Sequence, residues 1–316
     1  MFYIGVDLGG TKIAAGIVDE DGKIVKKGSV PTFRTRRSEE IVNDLWLLVE
    51  SLMKDFGITE KEIHSIGIGS PGTVDRPSGV IIYNGNLQFR DVHIREEVQK
   101  YILVPVYIEN DANCAAIAES VAGAAKGAEF AVIITIGTGI GGGVIINNKL
   151  YIGANGAGGE LGHVVLNLNG EACTCGRNGC WEAYSSATAL IRQTKKAAIE
   201  NPQSKIFELV DGDLNKIDAK TAFDAAKMGD QTAMKTIDNY IDIFADGLAN
   251  IVNIFQPNLV VIGGGVSKEG ENLLTPLREK MKKRTFCIEG LAETQIVAAK
   301  LGNDAGIIGA ALISKA

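Results

Sequence analysis

Three cysteines and one histidine lie close together in the segment that runs from residue 159 to residue 182. Cys173, Cys175 and Cys180 fall within eight positions, and His163 precedes the first of them by ten residues. Three thiolates and one imidazole form a ligand set that suits tetrahedral zinc. A redox-active thiol pair, an iron–sulfur cluster and a histidine buried for packing are the alternatives, although a cluster more commonly takes four cysteines.

Two glycines inside this segment, Gly176 and Gly179, would permit the sharp turns that bring the thiols to one ion. With four protein ligands the coordination shell would be closed, so zinc would be structural and would not act as a Lewis acid. A secreted disulfide framework is not expected, because the chain has five cysteines, an odd number, and two of them lie far from the segment. The pattern is typical of a reducing cytosol.

Glycine-rich turns after apolar strands form a second group of candidate ligands. In the stretch DLGGTK, Asp7 ends a strand-like run, and Gly9, Gly10, Thr11 and Lys12 follow. Such a turn exposes backbone N–H groups and a hydroxyl to an anion, and a nearby carboxylate can hold Mg²⁺ through water. A plain β-hairpin with a glycine bulge is the alternative interpretation.

The same pattern recurs later in the chain. Residues 137–146 (GTGIGGGVII) match residues 10–19 (GTKIAAGIVD) at four of ten positions, which suggests a duplicated strand–turn–strand unit. A third glycine turn, GGGVS, contains Gly264 and Gly265 and follows another buried strand. Two hairpin turns and a third turn for the nucleoside would together hold a nucleotide. The Gly-Lys-Ser/Thr ending of a P-loop is absent, so this prediction does not rest on that architecture.

Composition and charge describe an ordinary globular protein. Hydrophobic residues make up 46% of the 316 residues, charged residues make up 22%, and the net charge is −6. The acidic balance argues against a nucleic-acid partner, because phosphate binding draws on clustered Lys and Arg. The sequence has no visible signal peptide and no apolar run that is long enough for a membrane span, so we expect a cytoplasmic protein.

Hydrophobic periodicity predicts alternating strands and helices. Residues 38–56 have helical spacing, and a long helix with Met234, Ile237 and Ile241 on its apolar face should end before Pro257. We expect two domains, residues 1–118 with the first phosphate loop and residues 119–303 with the second loop, the cysteine segment and the third glycine turn. A final helix at about residues 304–316 should return to the first domain.

The motifs DLGGTK, TIGTGIGGG and VIGGGVS, in this order, resemble the two phosphate motifs and the adenosine motif of the actin-like sugar kinases. SPGTVD at 70–75, ENDAN at 109–113 and ELGH…CTCGRNGCWE at 160–182 resemble more narrowly the ROK family of bacterial sugar kinases and sugar-responsive repressors, and within it the glucokinases. The resemblance covers essentially the whole chain. It implies an α/β, two-lobed actin-like (ribonuclease-H-like) sugar-kinase fold with duplicated mixed-sheet domains and a structural zinc loop.

The resemblance implies ATP-dependent phosphorylation of glucose at the 6-hydroxyl, with Asp111 as the base. From the residues alone, a helix N-cap is the simpler role for Asp111. An ordinary carboxylate pKa of roughly 4 would leave it ionised at neutral pH.

The cofactors that the resemblance implies are Mg²⁺ and ATP. They would be held at the glycine loops, where Lys12 would either assist or remain in solvent. The implied nucleotide-site residues are Asp7, Gly9, Gly10, Thr11, Lys12, Thr138, Gly139, Gly264 and Gly265.

The same resemblance implies a sugar site and a structural Zn²⁺. His163 would bind zinc through one ring nitrogen and reach the sugar with the other, and Cys173, Cys175 and Cys180 would complete the metal site. Phe89 departs from the family pattern, because glucokinases often carry tryptophan at that place. The implied sugar-binding residues are Gly72, Asn86, Asn110, Asp111, Glu160, His163 and Glu182.

Other members of the family supply the alternative functions. An N-acetylglucosamine or N-acetylmannosamine kinase would share the zinc segment and the base, and a fructokinase is less favoured. A sugar-sensing regulator would carry a helix-turn-helix before the first phosphate motif, and Asp7 leaves no room for one. A catalytically silent sugar-binding scaffold is a third class. The expected partners are a hexose and ATP, with no nucleic acid and no membrane, and a homodimer is the family expectation.

Overall fold

Strands dominate the first half of the chain, and a run of α-helices from Glu182 to Phe255 follows the cysteine segment. The structure, a computed structural model, describes residues 1–286 and 293–315. The strands are β1 Phe2–Leu8, β2 Lys12–Val18, β3 Ile24–Pro31, β4 Ile63–Ser70, β5 Thr73–Asp75, β6 Val80–Asn84, β7 Phe89–Val92, β8 Val106–Asn110, β9 Ala131–Ile136, β10 Ile140–Ile146, β11 Lys149–Tyr151, β12 Leu259–Gly264 and β13 Gln295–Ala298. The α-helices are α1 Ser38–Phe56, α2 Ile94–Gln99, α3 Asp111–Val121, α4 Glu182–Ser185, α5 Ala187–Glu200, α6 Lys205–Leu209, α7 Thr221–Lys227, α8 Gln231–Phe255, α9 Glu271–Met281 and α10 Ala305–Ala311.

The first five-stranded sheet has the strand order β3-β2-β1-β4-β8. β1 pairs antiparallel with β2 and parallel with β4, and β4 pairs parallel with β8. The carboxyl ends of β1, β4 and β8 therefore lie at the same edge of the sheet. Ligands of open α/β sheets bind at this kind of edge. Asp7, near the end of β1, and Asn110, at the end of β8, are both found there.

The second five-stranded sheet repeats this order as β11-β10-β9-β12-β13. β10 pairs antiparallel with β11, and β12 pairs parallel with β13. The second glycine turn connects β9 to β10, as the first connects β1 to β2. The similarity between residues 10–19 and 137–146 thus corresponds to equivalent hairpins in two sheets of the same order. A separate antiparallel sheet has the order β5-β6-β7.

Glycines in the first sheet allow α10 to lie directly against β1 and β4. A Cβ atom on Gly5 would lie 1.9 Å from the carbonyl oxygen of Ile307, and one on Gly67 would lie 1.8 Å from the carbonyl oxygen of Ala310. Any larger residue would force the helix off the sheet. The same helix also packs on α3, so it supports the element that begins with Asp111.

The long helix α8 organises the packing of the helices that follow the cysteine segment. It contacts α4, α5, α7 and α9. The predicted apolar face is buried at Ile237 and Ile241, but the prediction for Met234 is wrong, because that side chain is 47% exposed. In the first turn of α8 the neighbouring residue Ala233 faces the core instead. Adjacent helical positions point about 100° apart, and at this end of the helix Met234 lies on the side that faces solvent.

Contacts between Cα atoms divide the chain into two compact units. The first unit comprises Met1–Ile133, Gly143–Gly159 and Lys300–Ala316, and the second comprises Ile134–Gly142 and Glu160–Ala299. The expected domains, residues 1–118 and 119–303, were defined by sequence motifs and stay a prediction. Within residues 1–286 and 293–315, no helix combines the length and the apolar character that crossing a membrane requires.

Candidate functional site

The first glycine turn lies directly after β1 in the first unit. The N–H of Gly9 donates to the carbonyl oxygen of Lys12 at 3.1 Å, which closes the turn. Asp7 is partly buried, and this burial, followed by the charge of Asp111, raises the pKa of Asp7 to about 6, while Lys12 acts to lower it. Thr11 and Lys12 are exposed. The turn therefore presents a hydroxyl and an ammonium group beside a partly dehydrated carboxylate.

Asn86 packs against this turn. A Cβ atom on Gly10 would lie 3.0 Å from the Cβ of Asn86, so the close approach depends on glycine. The buried residue Asn84 holds Asn86 in place, because its Oδ1 accepts the N–H of Asn86 at 2.9 Å and its Nδ2 donates to the hydroxyl of Ser70 at 3.0 Å. Sequence reasoning missed Asn84, whose only signal was its place in an amide- and glycine-rich turn.

Asp111 is the first residue of α3. The N-cap is Asn110, whose Oδ1 accepts the N–H of Ala112 at 2.9 Å and that of Asn113 at 3.3 Å. The interpretation of Asp111 as the N-cap is therefore wrong, and its carboxylate is not needed to cap the helix. The Nδ2 of Asn110 donates to the carbonyl oxygen of Gly72 at 3.1 Å. The first unit thus brings these two expected sugar ligands together beside Asp111.

The environment of Asp111 changes its acidity. Burial raises the pKa of its carboxyl group, and a hydrogen bond from the N–H of Ala112 to its Oδ1, at 2.9 Å, acts in the opposite direction. The expectation of an ordinary pKa of about 4 is therefore wrong. The physical reason is that a partly dehydrated site disfavours the charged form. A raised pKa makes this carboxylate a stronger proton acceptor than one in water.

A second buried carboxylate, Glu109, precedes these residues and was not predicted. Its Oε1 accepts the N–H of Asn110 at 2.8 Å and the Nδ2 of Asn113 at 2.9 Å. Its Oε2 lies 3.0 Å from the Nε of Arg76, so the charge is paired. Buried charges persist in proteins when they are paired and hydrogen-bonded in this way. Glu109 therefore fixes the backbone that carries Asn110 and Asp111.

The second and third glycine turns meet within the second unit. The N–H of Gly137 donates to the carbonyl oxygen of Gly139 at 2.9 Å, which closes the second turn. Gly264 has a φ of 87°, and a Cβ atom there would lie 2.3 Å from the carbonyl oxygen of Ile136. Only glycine permits both the conformation and the close approach. The exposed residues of these turns are Thr138, Gly264 and Gly265.

The four predicted zinc ligands converge in the second unit. The ligand atoms of His163, Cys173, Cys175 and Cys180 all lie within 4.8 Å of one another. The sulfurs of Cys175 and Cys180 are 3.7 Å apart, and the Sγ of Cys173 is 3.6 Å from the Nδ1 of His163. Tetrahedral zinc with usual bond lengths requires about 3.8 Å between two sulfurs and about 3.6 Å between sulfur and nitrogen. These residues therefore fit zinc, with Nδ1 as the histidine donor.

Two glycines shape the loop that carries these ligands. Gly176 and Gly179 have φ values of 87° and 77°, the left-handed conformation that the predicted sharp turns require. The N–H of Cys173 donates to the carbonyl oxygen of Arg177 at 2.8 Å and closes the loop between them. A Cβ atom on Gly179 would lie 1.6 Å from the carbonyl oxygen of Asn167, so no other residue fits at that position.

Glu182 lies beside both the cysteine loop and the second glycine turn. Its Oε2 accepts the N–H of Ile140 at 2.9 Å, and its Oε1 lies 3.8 Å from the Sγ of Cys173. Glu160 is exposed, and its carbonyl oxygen accepts the N–H of His163 at 3.1 Å. In the second unit His163 and Glu182 therefore both lie against Cys173, and Glu160 contacts His163 through its backbone.

Comparison with known proteins now identifies the family. A family model described as "ROK family" matches residues 3–316. The chain belongs to the ROK family. A glucokinase of Thermotoga maritima is 40% identical over 315 residues, which cover 99% of this chain and 96% of the relative.

Two solved ROK structures are also similar to this chain. A ROK family glucokinase from Streptomyces griseus, crystallised in complex with glucose and AMPPNP, has a TM-score of 0.84 and 37% identity and covers 98% of each chain. The ROK hexokinase from Thermus thermophilus has a TM-score of 0.83 and 35% identity, covering 99% of this chain and 97% of the other.

The ROK assignment confirms the resemblance that the motifs indicated. The α/β class with mixed sheets is confirmed by the strand orders and by the similarity to ROK glucokinase structures. The expected enzyme class, an ATP-dependent hexose kinase, agrees with these ROK relatives. The roles of the individual site residues, the homodimer and the cytoplasmic location stay predictions.

Proposed function

We propose that this protein transfers the γ-phosphoryl group of ATP to the 6-hydroxyl of glucose. The observation that carries the proposal is the environment of Asp111. This carboxylate is partly buried beside Asn110, and its charge raises the pKa of Asp7. The chain that holds it is similar, over 98% of its length, to a glucokinase crystallised with glucose and AMPPNP.

Asp111 is the general base in this proposal. Its carboxylate accepts the proton of the sugar hydroxyl as the oxygen attacks the γ-phosphorus, and the bond between that phosphorus and the bridging oxygen of ADP breaks. Phosphoryl transfer needs positioning and charge stabilisation more than covalent chemistry from the protein. The helix N-cap on Asn110 and the ion pair behind Glu109 supply positioning, because they hold the backbone on both sides of the base.

In this proposal the sugar hydroxyls are bound by amide, carboxylate and imidazole side chains. Asn86 and Asn110 supply the amides. Glu160 and Glu182 accept hydrogen bonds from hydroxyl donors, a task that suits ionised acceptors. His163 contributes its Nε2, because its Nδ1 faces the sulfur of Cys173. Zinc held by His163 and the three cysteines would have a closed coordination shell, so it would hold the loop that carries His163 in position.

The nucleotide phosphates are bound by the first two glycine turns, and the nucleoside by the third turn at Gly264 and Gly265. Asp7, Thr11 and Thr138 are the residues that would hold Mg²⁺, and the bound ion would neutralise charge on the phosphates. Lys12 is exposed beside Asp7 and supplies a further positive charge. The N–H groups of the turns complete the anion site.

A sugar panel tests the proposal. ADP release from Mg-ATP is measured with glucose, N-acetylglucosamine, N-acetylmannosamine and fructose, for the wild type, for Asp111→Ala and for Asp55→Ala, an exposed carboxylate on α1 that serves as the matched control. We expect the highest turnover on glucose, its loss in Asp111→Ala and its retention in Asp55→Ala. Preference for an acetamido sugar would show that the substrate is that sugar and not glucose. No turnover on any sugar would overturn the proposal.

The remaining parts of the proposal rest on the family resemblance. They are a homodimer and a cytoplasmic location, with a hexose and ATP as the binding partners. Sedimentation equilibrium of the purified chain tests the dimer directly, and a mass of one chain at micromolar concentration would contradict it.

A further inference from the structure

We propose that Thr188 is a positioning residue for the second glycine turn, and that the junction of α4 and α5 sets the direction of the phosphate-binding N–H groups of that turn. This inference rests on the proposed function, because it gives the second glycine turn its role as a phosphate site. Thr188 belongs to none of the motifs that the sequence analysis singled out.

The junction holds two consecutive carbonyl groups of the turn. The hydroxyl of Thr188 donates to the carbonyl oxygen of Thr138 at 2.8 Å. The N–H of Ala187 donates to the carbonyl oxygen of Gly137 at 2.9 Å. Both donors belong to the first turn of α5, so one rigid element fixes two neighbouring peptide groups.

The same junction also holds the far side of the turn. The Oε2 of Glu182, at the start of α4, accepts the N–H of Ile140 at 2.9 Å. A Cβ atom on Gly139 would lie 2.1 Å from that Oε2, so the carboxylate can reach the turn only because glycine stands there. The glycine turn is therefore attached at both ends to residues 182–188.

Because the peptide group is planar, these hydrogen bonds also fix the direction in which the N–H groups of Thr138 and Gly139 point. In a trans peptide, the C=O of one residue and the N–H of the next point in opposite directions. When the carbonyls of Gly137 and Thr138 point to α5, the N–H groups of Thr138 and Gly139 must point away from it. Neither N–H donates to another residue in the described part of the chain. Successive unpaired N–H groups of this kind form an anion-binding concavity.

An ordinary helical role does not account for the hydroxyl of Thr188. The side chain is exposed, and α5 is already capped by Ser186, whose Oγ accepts the N–H of Ala189 at 3.1 Å. A hydroxyl that merely satisfied its own helix would bond to the carbonyl four residues earlier, as Thr194 bonds to Leu190. Thr188 bonds instead to a residue 50 positions away.

The experiment compares Thr188→Val, Thr188→Ser and the wild type, with Thr275→Val as the matched control. Thr275 is an exposed helical threonine whose hydroxyl bonds within its own helix, to Glu271. Binding of Mg-ADP is measured by titration calorimetry, and KM for ATP, KM for glucose and kcat are measured separately. Melting temperatures are recorded for every variant.

We expect Thr188→Val to raise the Kd for Mg-ADP and the KM for ATP about 3- to 10-fold, the effect of one hydrogen bond. KM for glucose should stay within about 2-fold, since the Glu182 contact is a separate attachment. Thr188→Ser and Thr275→Val should bind Mg-ADP as the wild type does. A merely structural role would lower the melting temperature and leave the affinity for nucleotide unchanged.

Two results would overturn the inference. One is wild-type affinity for Mg-ADP in Thr188→Val, and the other is an equal loss of affinity in Thr188→Ser or Thr275→Val. If the wild type binds Mg-ADP but phosphorylates none of the sugars, the proposed function fails and the calorimetry still decides the role of Thr188. If the wild type binds no nucleotide, both proposals fail.

Discussion

The Nε of Arg76 lies 3.0 Å from the Oε2 of Glu109, and the other carboxylate oxygen of Glu109 accepts the N–H of Asn110 at 2.8 Å. Arg76 directly follows β5, and Glu109 belongs to β8, so the ion pair joins two elements of the first unit. The side chain of Glu109 is completely buried, and that of Arg76 is 24% exposed. The pair therefore supports, from behind, the backbone that leads into Asp111.

We expect Glu109→Gln to lower kcat at least 10-fold and to reduce the free energy of unfolding by about 2 kcal/mol. The amide keeps the hydrogen bond to Asn110 but leaves Arg76 without its charge partner, which is costly in a partly buried site. Urea unfolding and steady-state kinetics measure the two effects. The double variant Glu109→Gln with Arg76→Met should recover most of the stability. Equal losses in Glu109→Gln and in Arg90→Met, an exposed arginine, would contradict this account.

We expect glucose binding to depend on zinc at the four predicted ligands. Cys175→Ser should lower the zinc content from about one ion per chain to near zero, and it should raise KM for glucose about 10- to 100-fold, because the loop that holds His163 loses its anchor. Cys114→Ala is the control. Cys114 is buried in the hydrophobic core between α3 and α10, so this variant should keep the wild-type metal content. Elemental analysis and kinetics measure both quantities. A zinc-free variant with the wild-type KM would show that the metal does not shape the sugar site.

Asp7 gives a pH-dependent contribution to stability. Its pKa is about 6 when folded, against an ordinary value of 3.8, so between these pH values the folded chain binds more protons than the unfolded chain. The contribution of Asp7 to the unfolding free energy therefore falls as pH rises from about 4 to about 6, and remains low above that range. Asp7→Asn should stabilise the ligand-free protein by about 3 kcal/mol at pH 8, because each unit of pKa difference corresponds to about 1.4 kcal/mol, and by much less at pH 4.5. A gain that is the same at both pH values, measured by urea unfolding, would refute the burial of this charge.

Substitutions of Asn86 and Asn84 should have different effects on glucose binding and on stability. Asn86→Ala removes an exposed amide, so KM for glucose should rise about 10-fold while the melting temperature is unchanged. Asn84→Ala should raise the same KM and also cost about 2 kcal/mol, because it removes the buried hydrogen bonds to Asn86 and Ser70. Gln88→Ala, an exposed amide in the same turn, is the control. Loss of stability in Asn86→Ala would show that it is a structural residue.

Sequence patterns predicted the helices and strands because the spacing of apolar residues reflects which face of each element is buried. The helical spacing of residues 38–56 corresponds to α1, Ser38–Phe56, and the positive φ of Gly176 and Gly179 follows from the tight turns that three nearby cysteines require. The cluster of His163 with the cysteines was predicted from residue type and spacing together with the family resemblance.

The contacts that support the site had no such signal. Glu109 and Arg76 are 33 positions apart, and Thr188 and Thr138 are 50 apart, so no local period marks either pair. The pKa of Asp111 was also beyond sequence reasoning, because it depends on burial that only the packed chain creates. The N-cap was assigned to Asp111 rather than Asn110 because both residue types are good caps and the helix boundary decides between them.

The most direct measurement is kcat for glucose and Mg-ATP in Asp111→Asn. The amide has the shape of the carboxylate but cannot accept the hydroxyl proton, so kcat should fall about 10²- to 10⁴-fold. The melting temperature should not fall, because burial disfavours the charge that the substitution removes. Glucose affinity should stay within about 3-fold, since Asn86 and Asn110 are retained. A variant that keeps kcat within about 10-fold of the wild type would contradict the assignment of Asp111 as the base.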